Sequence, residues 1–236
     1  MMLQTLTLAD GQQIPYQLSL RPRRTVGLKI TQDGLVVHAP KRIVVHQLNQ
    51  ILQEKSTWIL NKLALREANT VTPVCWQAGE NMLFLGQDIT LQVIESKGKS
   101  KIMLVGNILN VVVKDAHNLT LVGKKVMQWY QQEAYDDFVR RVEIFATKLG
   151  VTPPLVKLSN AQSRWGSCNS LGQVRLNWRL IQATPQVINY VVCHELAHLK
   201  EMNHSARFYA VLAQLFPNYD NAEKQLKQLS PQLHRL

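Results

Sequence analysis

"HELAHLKEMNH", residues 194–204, places three of the chain's seven histidines within eleven residues. On a helix, side chains four apart share a face, with about 5–6 Å between Cβ atoms. His194 and His198 can therefore hold one ion. Glu195 leaves the helix at a different angle, so its carboxylate can act as a general base toward a water held by that ion. This arithmetic makes H-E-x-x-H a zinc motif. The helix leading into it, "PQVINYVVCHELAHL", is apolar on most sides, which predicts burial. Imidazoles and a carboxylate on a buried helix need partners, and a metal supplies them.

A third ligand must come from beyond a turn. In an unbroken helix His204 would lie about 15 Å along the axis from His194. The chain is thus expected to turn between Leu199 and Asn203, with Asn203 and Ser205 as turn or N-cap residues. A second amphipathic helix, "SARFYAVLAQLF", follows, with His204 in register with Phe208, Val211 and Leu215 on its core-facing side. Three histidines and a water fit a catalytic zinc site. Glu201 is the alternative third ligand, and Glu223, beyond Pro217, is the carboxylate a thermolysin-like plan would require. The metzincin pattern fails, because Glu201 stands at its glycine position and no methionine follows His204.

Upstream, "QVRLNWRLI" alternates. Val174, Leu176, Trp178 and Leu180 point one way and Arg175, Asn177 and Arg179 the other, predicting an edge strand or cleft wall. Thr184-Pro185 supplies an N-cap and a first-turn proline for the metal helix. A helix is expected over about 121–149, ending at Gly150. "NMLFLGQDITLQVIE" and "IMLVGNILNVVVK" read as strands with turns at Gly86 and Gly106. Near the N-terminus, Asp10-Gly11 and Asp33-Gly34 mark two hairpins, and "VVHQLNQILQEKSTWILNKLALREAN" has helical spacing. No internal repeat is apparent. The expected division is a β-rich region with one helix over 1–115 and a catalytic region over 116–236, with one continuous domain as the alternative, since no flexible linker marks the boundary.

The chain has 236 residues, 46% of them apolar, which indicates a globular protein. No run approaches the roughly 18 apolar residues of a membrane span. The N-terminus reads as no secretory signal, and three scattered cysteines make no disulfide framework, so the expected compartment is the cytoplasm. The formal charge of +11 permits attraction to nucleic acid, nucleotides or anionic proteins. "RPRR" (21–24) and "KGKSK" (97–101) are short and lack interleaved aromatics, and read as a soluble basic surface. No feature fixes an oligomeric state.

"SRWGSCNSLGQVRLNWRLI" (163–181) followed by "VVCHELAHLKEMNHSARFYAVLAQLFPNY" (191–219) resembles the YgjP-like metallopeptidase domain family, which is related to SprT and WLM proteases. The likeness spans roughly Arg21 to Leu229. It implies an α+β, zincin-like fold with an antiparallel sheet and an active-site helix. It also implies zinc on His194, His198 and His204, and Glu195 as catalytic acid/base. Arg164, Asn177 and Tyr209 are candidate substrate-binding residues; pairing with a carboxylate is the competing reading of Arg164, and packing that of Tyr209. The expected function is zinc-dependent hydrolysis of peptide or protein substrates. A metal-dependent nucleotide phosphohydrolase is the rival enzyme, though no Gly-rich phosphate loop supports it. A binding module for nucleic acid or a partner, with structural zinc, is the third class.

Overall fold

A computed structural model describes residues 2–8, 10–31, 33–68 and 72–236. Ala9 and Gln32 of the two expected hairpins, and Asn69 at the end of the expected helical stretch, lie outside them. The chain forms two compact units, Met1–Thr70 and Val71–Leu236. No helix among the described residues is long and apolar enough to cross a membrane.

In the first unit, β1 (Met2–Thr7) and β2 (Gln13–Arg21) form one hairpin, and β3 (Gly27–Thr31) and β4 (Gly34–Pro40) another. The inner strands β2 and β4 run parallel, giving the order β1-β2-β4-β3. Alternation turns Ile14, Tyr16 and Leu18 with Leu35, Val37 and Ala39 to one face. There they bury Leu48 and Leu52 of α1 (Val45–Glu54) and Ile59 of α2 (Ser56–Ala68). The single helical stretch expected from spacing is two helices, divided at Lys55.

The second unit opens with the same arrangement. β5 (Asn81–Phe84), β6 (Gln87–Glu95), β7 (Lys101–Val105) and β8 (Ile108–Val113) take the order β5-β6-β8-β7, again two hairpins with parallel inner strands. The registers correspond. Leu6 faces Ile14 as Met82 faces Ile89, and Tyr16 faces Leu35 as Leu91 faces Leu109. This is a repeat that the sequence reading missed. Its trace is Gly11-Gln12-Gln13-Ile14 against Gly86-Gln87-Asp88-Ile89, where both glycines hold positive φ. What persists otherwise is apolar alternation, which any half-buried strand shows.

The 31-residue α3 (Leu119–Leu149) starts where the Asn118 side chain accepts a hydrogen bond from the Leu121 amide, and stops at left-handed Gly150. Its Val122, Val126, Tyr130, Ala134 and Phe138 share one core with Leu109, Val111 and Val113 of β8. A division at 115–116 would split that core. The boundary is instead at Thr70–Val71, which corrects the expectation.

β9 (Val156–Ser159), β10 (Gly166–Cys168) and β11 (Val174–Asn177) form a three-stranded sheet ordered β10-β11-β9. It is mixed rather than antiparallel, since β11 pairs antiparallel with β10 and parallel with β9. β11 is therefore the central strand and not an edge. It also ends early, and Trp178–Gln182 form a 3-10 turn. That curl buries Asn177 and Arg179, which strand alternation had placed outward. Arg179 Nε donates to the Leu236 carbonyl (2.5 Å), its Nη1 donates to Asn160 Oδ1, and the guanidinium lies 4.5 Å over the Trp178 ring. α4 (Pro185–Ala197), α5 (Ala206–Leu215) and α6 (Tyr219–Leu233) complete an α+β chain, as the fold class predicts.

Candidate metal centre

α4 carries His194, Glu195 and, at its C-cap, His198. It is buried nearly all round, by Val187, Ile188, Val191, Val192, Leu196 and Ala197 among others. Burial pushes the Cys193 thiol up to about 12, in keeping with a core cysteine. The chain turns after His198. Asn203 Oδ1 accepts from the Ser205 amide (3.1 Å), and the Ser205 side chain caps α5 by accepting from the Phe208 amide (3.4 Å). Both expected turn residues thus take part, and the turn brings His204 back onto α4.

His194, His198 and His204 form a cluster in which one ligand atom from each lies within 4.8 Å of the others. The Nε2 atoms of His194 and His204 are 3.1 Å apart. Ligand bonds of about 2 Å to one tetrahedral ion put two donors roughly 3–3.5 Å apart, so the spacing suits a shared ion. The His198 Nδ1 is 3.1 Å from the Glu201 carbonyl, which orients the ring and leaves Nε2 for the cluster. Burial first, then the neighbouring imidazoles, lower the His194 pKa to about 4, and burial lowers that of His198. These rings are neutral at pH 7, the form that binds metal. The His194 Nδ1 is buried without a partner. The donor set fits a divalent metal.

Phe208, fully buried, floors the triad, its ring centroid 5.0, 4.6 and 4.7 Å from those of His194, His198 and His204. Periodicity marked Phe208 only as core. Glu201 meets the site through its backbone carbonyl, and Glu223 is paired with Lys227 on α6 (2.7 Å); neither carboxylate joins the cluster.

Glu195 is 5% exposed. Burial raises its pKa to about 8, and the charge of Arg164 opposes the rise. Its carboxyl lies against Gly166 of β10, where an added Cβ would come within 2.7 Å of Cδ. Cys168 of β10 is nearby: burial raises its thiol pKa, and the Glu195 charge adds to that. Arg164 is exposed, and Tyr209 lies on the rim, its ring 6.5 Å from that of His204. Asn177 is different. It is fully buried; its Nδ2 donates to the carbonyls of Ala161 (2.8 Å) and Arg164 (3.5 Å), and its Oδ1 accepts from the Arg179 amide (3.1 Å). It ties down the loop before β10 and is not placed to touch substrate. Trp165 in that loop stacks on His234 at 4.5 Å.

The model of the YgjP-like metallopeptidase domain family matches residues 24–229. The chain belongs to this family. It is accordingly a metal-dependent hydrolase of the peptidase class. Two solved structures are similar over part of the chain. One is the metallopeptidase zymogen of Methanocaldococcus jannaschii, jannalysin, at 20% identity over 39% of this chain and 94% of that one, with a TM-score of 0.35. The other is that of Pyrococcus abyssi, abylysin, at 20% identity over 40% and 94%, also with a TM-score of 0.35. No curated protein matches the chain.

Proposed function

We propose that this family member is a zinc peptidase in which His194, His198 and His204 hold the metal and Glu195 is the general base. The observation that carries the reading is the convergence of three imidazoles beside a buried carboxyl on an adjacent helix position. Zinc suits an all-imidazole donor set, and when bound it acidifies water and polarises a carbonyl. Glu195 accepts the proton of the attacking water and delivers it to the departing amine. Burial raises its pKa and so favours holding the proton once taken up, the Arg164 charge favours the ionised form that takes it, and Gly166 leaves room for the carboxyl. Arg164 and Tyr209, exposed at the rim, contact the substrate.

β11 has both neighbours paired, so it cannot take up a further strand. β10 pairs on one side only among the described residues, and its free edge accepts an extended peptide by strand addition beside Glu195. The test is hydrolysis of an unfolded protein by the zinc-loaded enzyme, with chelator, with zinc restored, and in Glu195→Gln. Glu195→Gln should keep its zinc and lose about 10²–10⁴-fold in kcat, the range of acid–base catalysts. Native turnover in a zinc-loaded Glu195→Gln protein would refute the mechanism. Hydrolysis of nucleoside triphosphates in place of protein would refute the substrate class.

A further inference from the structure

The first unit has a sheet polarised in charge. Because β2 and β4 run parallel, both end at one side, where Arg21 stands in register with Pro40. The following loop adds Arg23 and Arg24, and the chain after β4 adds Lys41 and Arg42. From Asp10 to Gln53 the acidic residues are Asp10 and Asp33 alone, and both sit in hairpin turns at the opposite end. None of the five cations forms an ion pair among the described residues. Arg21 is bonded to Ser19 and Arg23 to Thr25, whereas Arg24 and Arg42 have no hydrogen-bond partner there.

Arg24 and Arg42 flank an open groove of about 650 Å³ along α1. Val26, Ile43 and Ile51 give it an apolar, half-buried floor, and Gln47 adds an amide. The groove's single carboxylate, Glu54, is at the C-terminal end of α1 and accepts from Gln50 (3.3 Å). Two free guanidiniums beside aliphatic side chains match a ligand that alternates carboxylates with aliphatic groups. Guanidinium binds carboxylate through paired hydrogen bonds, and the floor removes aliphatic surface from water. No aromatic ring lines the groove, so it offers no platform for stacked bases, and an apolar floor has nothing to give a phosphate backbone.

We propose that this groove binds acidic, aliphatic-rich segments of the protein substrate, as a second attachment point besides the metal centre. Calling the ligand a substrate rests on the peptidase reading; the binding itself does not. Binding is measured with the full chain carrying Glu195→Gln, by anisotropy of a short fluorescent peptide of alternating Glu and Leu. Arg24→Glu with Arg42→Glu should weaken binding about tenfold or more, and Asp33→Asn should not. Both arginines are exposed, so the fold is expected to survive; Arg24→Gln with Arg42→Gln serves if the charge reversal lowers the melting temperature. In the zinc-loaded enzyme with Glu195 intact, the reversal should raise KM for an acidic substrate about tenfold with kcat unchanged, and leave a neutral peptide unaffected. If native protein cleaves no peptide, the peptidase reading fails while the anisotropy still reports on the groove. Equal peptide binding by the native and reversed proteins would overturn the proposal. So would an oligonucleotide that binds more tightly than the peptide and is lost in the same variant.

Discussion

The Glu195 carboxyl rests on the backbone of Gly166, so closely that a Cβ on residue 166 would lie 2.6 Å from Glu195 Cγ and 2.7 Å from Cδ. A real Cβ at that distance forces the carboxyl to move. Gly166→Ala is therefore expected to leave zinc content and melting temperature near native and to lower kcat about 10²-fold, the effect of misplacing a reacting group by roughly 1 Å. Steady-state kinetics on the zinc-loaded variant decide it. A native kcat would show that this placement of Glu195 is dispensable.

His204→Ala and Glu201→Ala should behave oppositely. His204 supplies a nitrogen to the cluster, whereas Glu201 supplies only its backbone carbonyl to His198, which alanine retains. His204→Ala should weaken zinc binding and lower the melting temperature of zinc-treated protein, because metal affinity is linked to folding. Competition against a chromophoric chelator measures both affinities. Loss of metal in Glu201→Ala alone would reverse the ligand assignment.

An ion pair within α3 is tied to α4 by a hydrogen bond. Asp137, 8% exposed, accepts from Arg141 Nε (2.5 Å), and Arg141 Nη1 reaches Asn189 Oδ1 (2.5 Å). The bond from Arg140 comes from a side chain 67% exposed and contributes little. Asp137→Ala strands the Arg141 charge and should cost about 3–5 kcal/mol in urea unfolding. Asp137→Leu with Arg141→Met, which removes both charges, should recover part of that loss.

His234 predicts a pH effect on stability. Burial, and then the nearby Arg179 charge, lower its pKa in the folded chain below the ordinary imidazole value of about 6.5. The unfolded chain therefore takes up a proton on His234 first, and stability falls as pH drops through about 6.5 toward the lower folded value. His234→Phe keeps the stack on Trp165 and removes the titration. Between pH 7 and 5 it should lose less stability than native protein, both measured zinc-loaded by chemical denaturation. Parallel losses would show that His234 is not protonated preferentially in the unfolded chain.

The local readings that came through are those in which one element's own geometry suffices. The four-residue spacing of His194 and His198, the turn chemistry of Asn203 and Ser205, and the Gly150 stop of α3 all depend on neighbours along the chain. The strand reading of 174–181 failed for the converse reason. Alternation shows that Val174 and Leu176 share a face, but not that β10 and β9 flank β11 on both sides. Nor does it show that Asn177 turns inward to hold the 161–164 loop.

The sequence by itself determined the three histidines of the cluster, the glutamate beside the first of them, and the α+β alternation of strands and helices, because residue type and period are written along one dimension. Only the tertiary structure placed Gly166 under Glu195, set Phe208 beneath all three imidazoles, and gave β1–β4 and β5–β8 the same strand order in two separate sheets. Those relations join positions far apart in the chain. A hydrophobic period states which face of an element must be covered, and the choice of what covers it is made by packing.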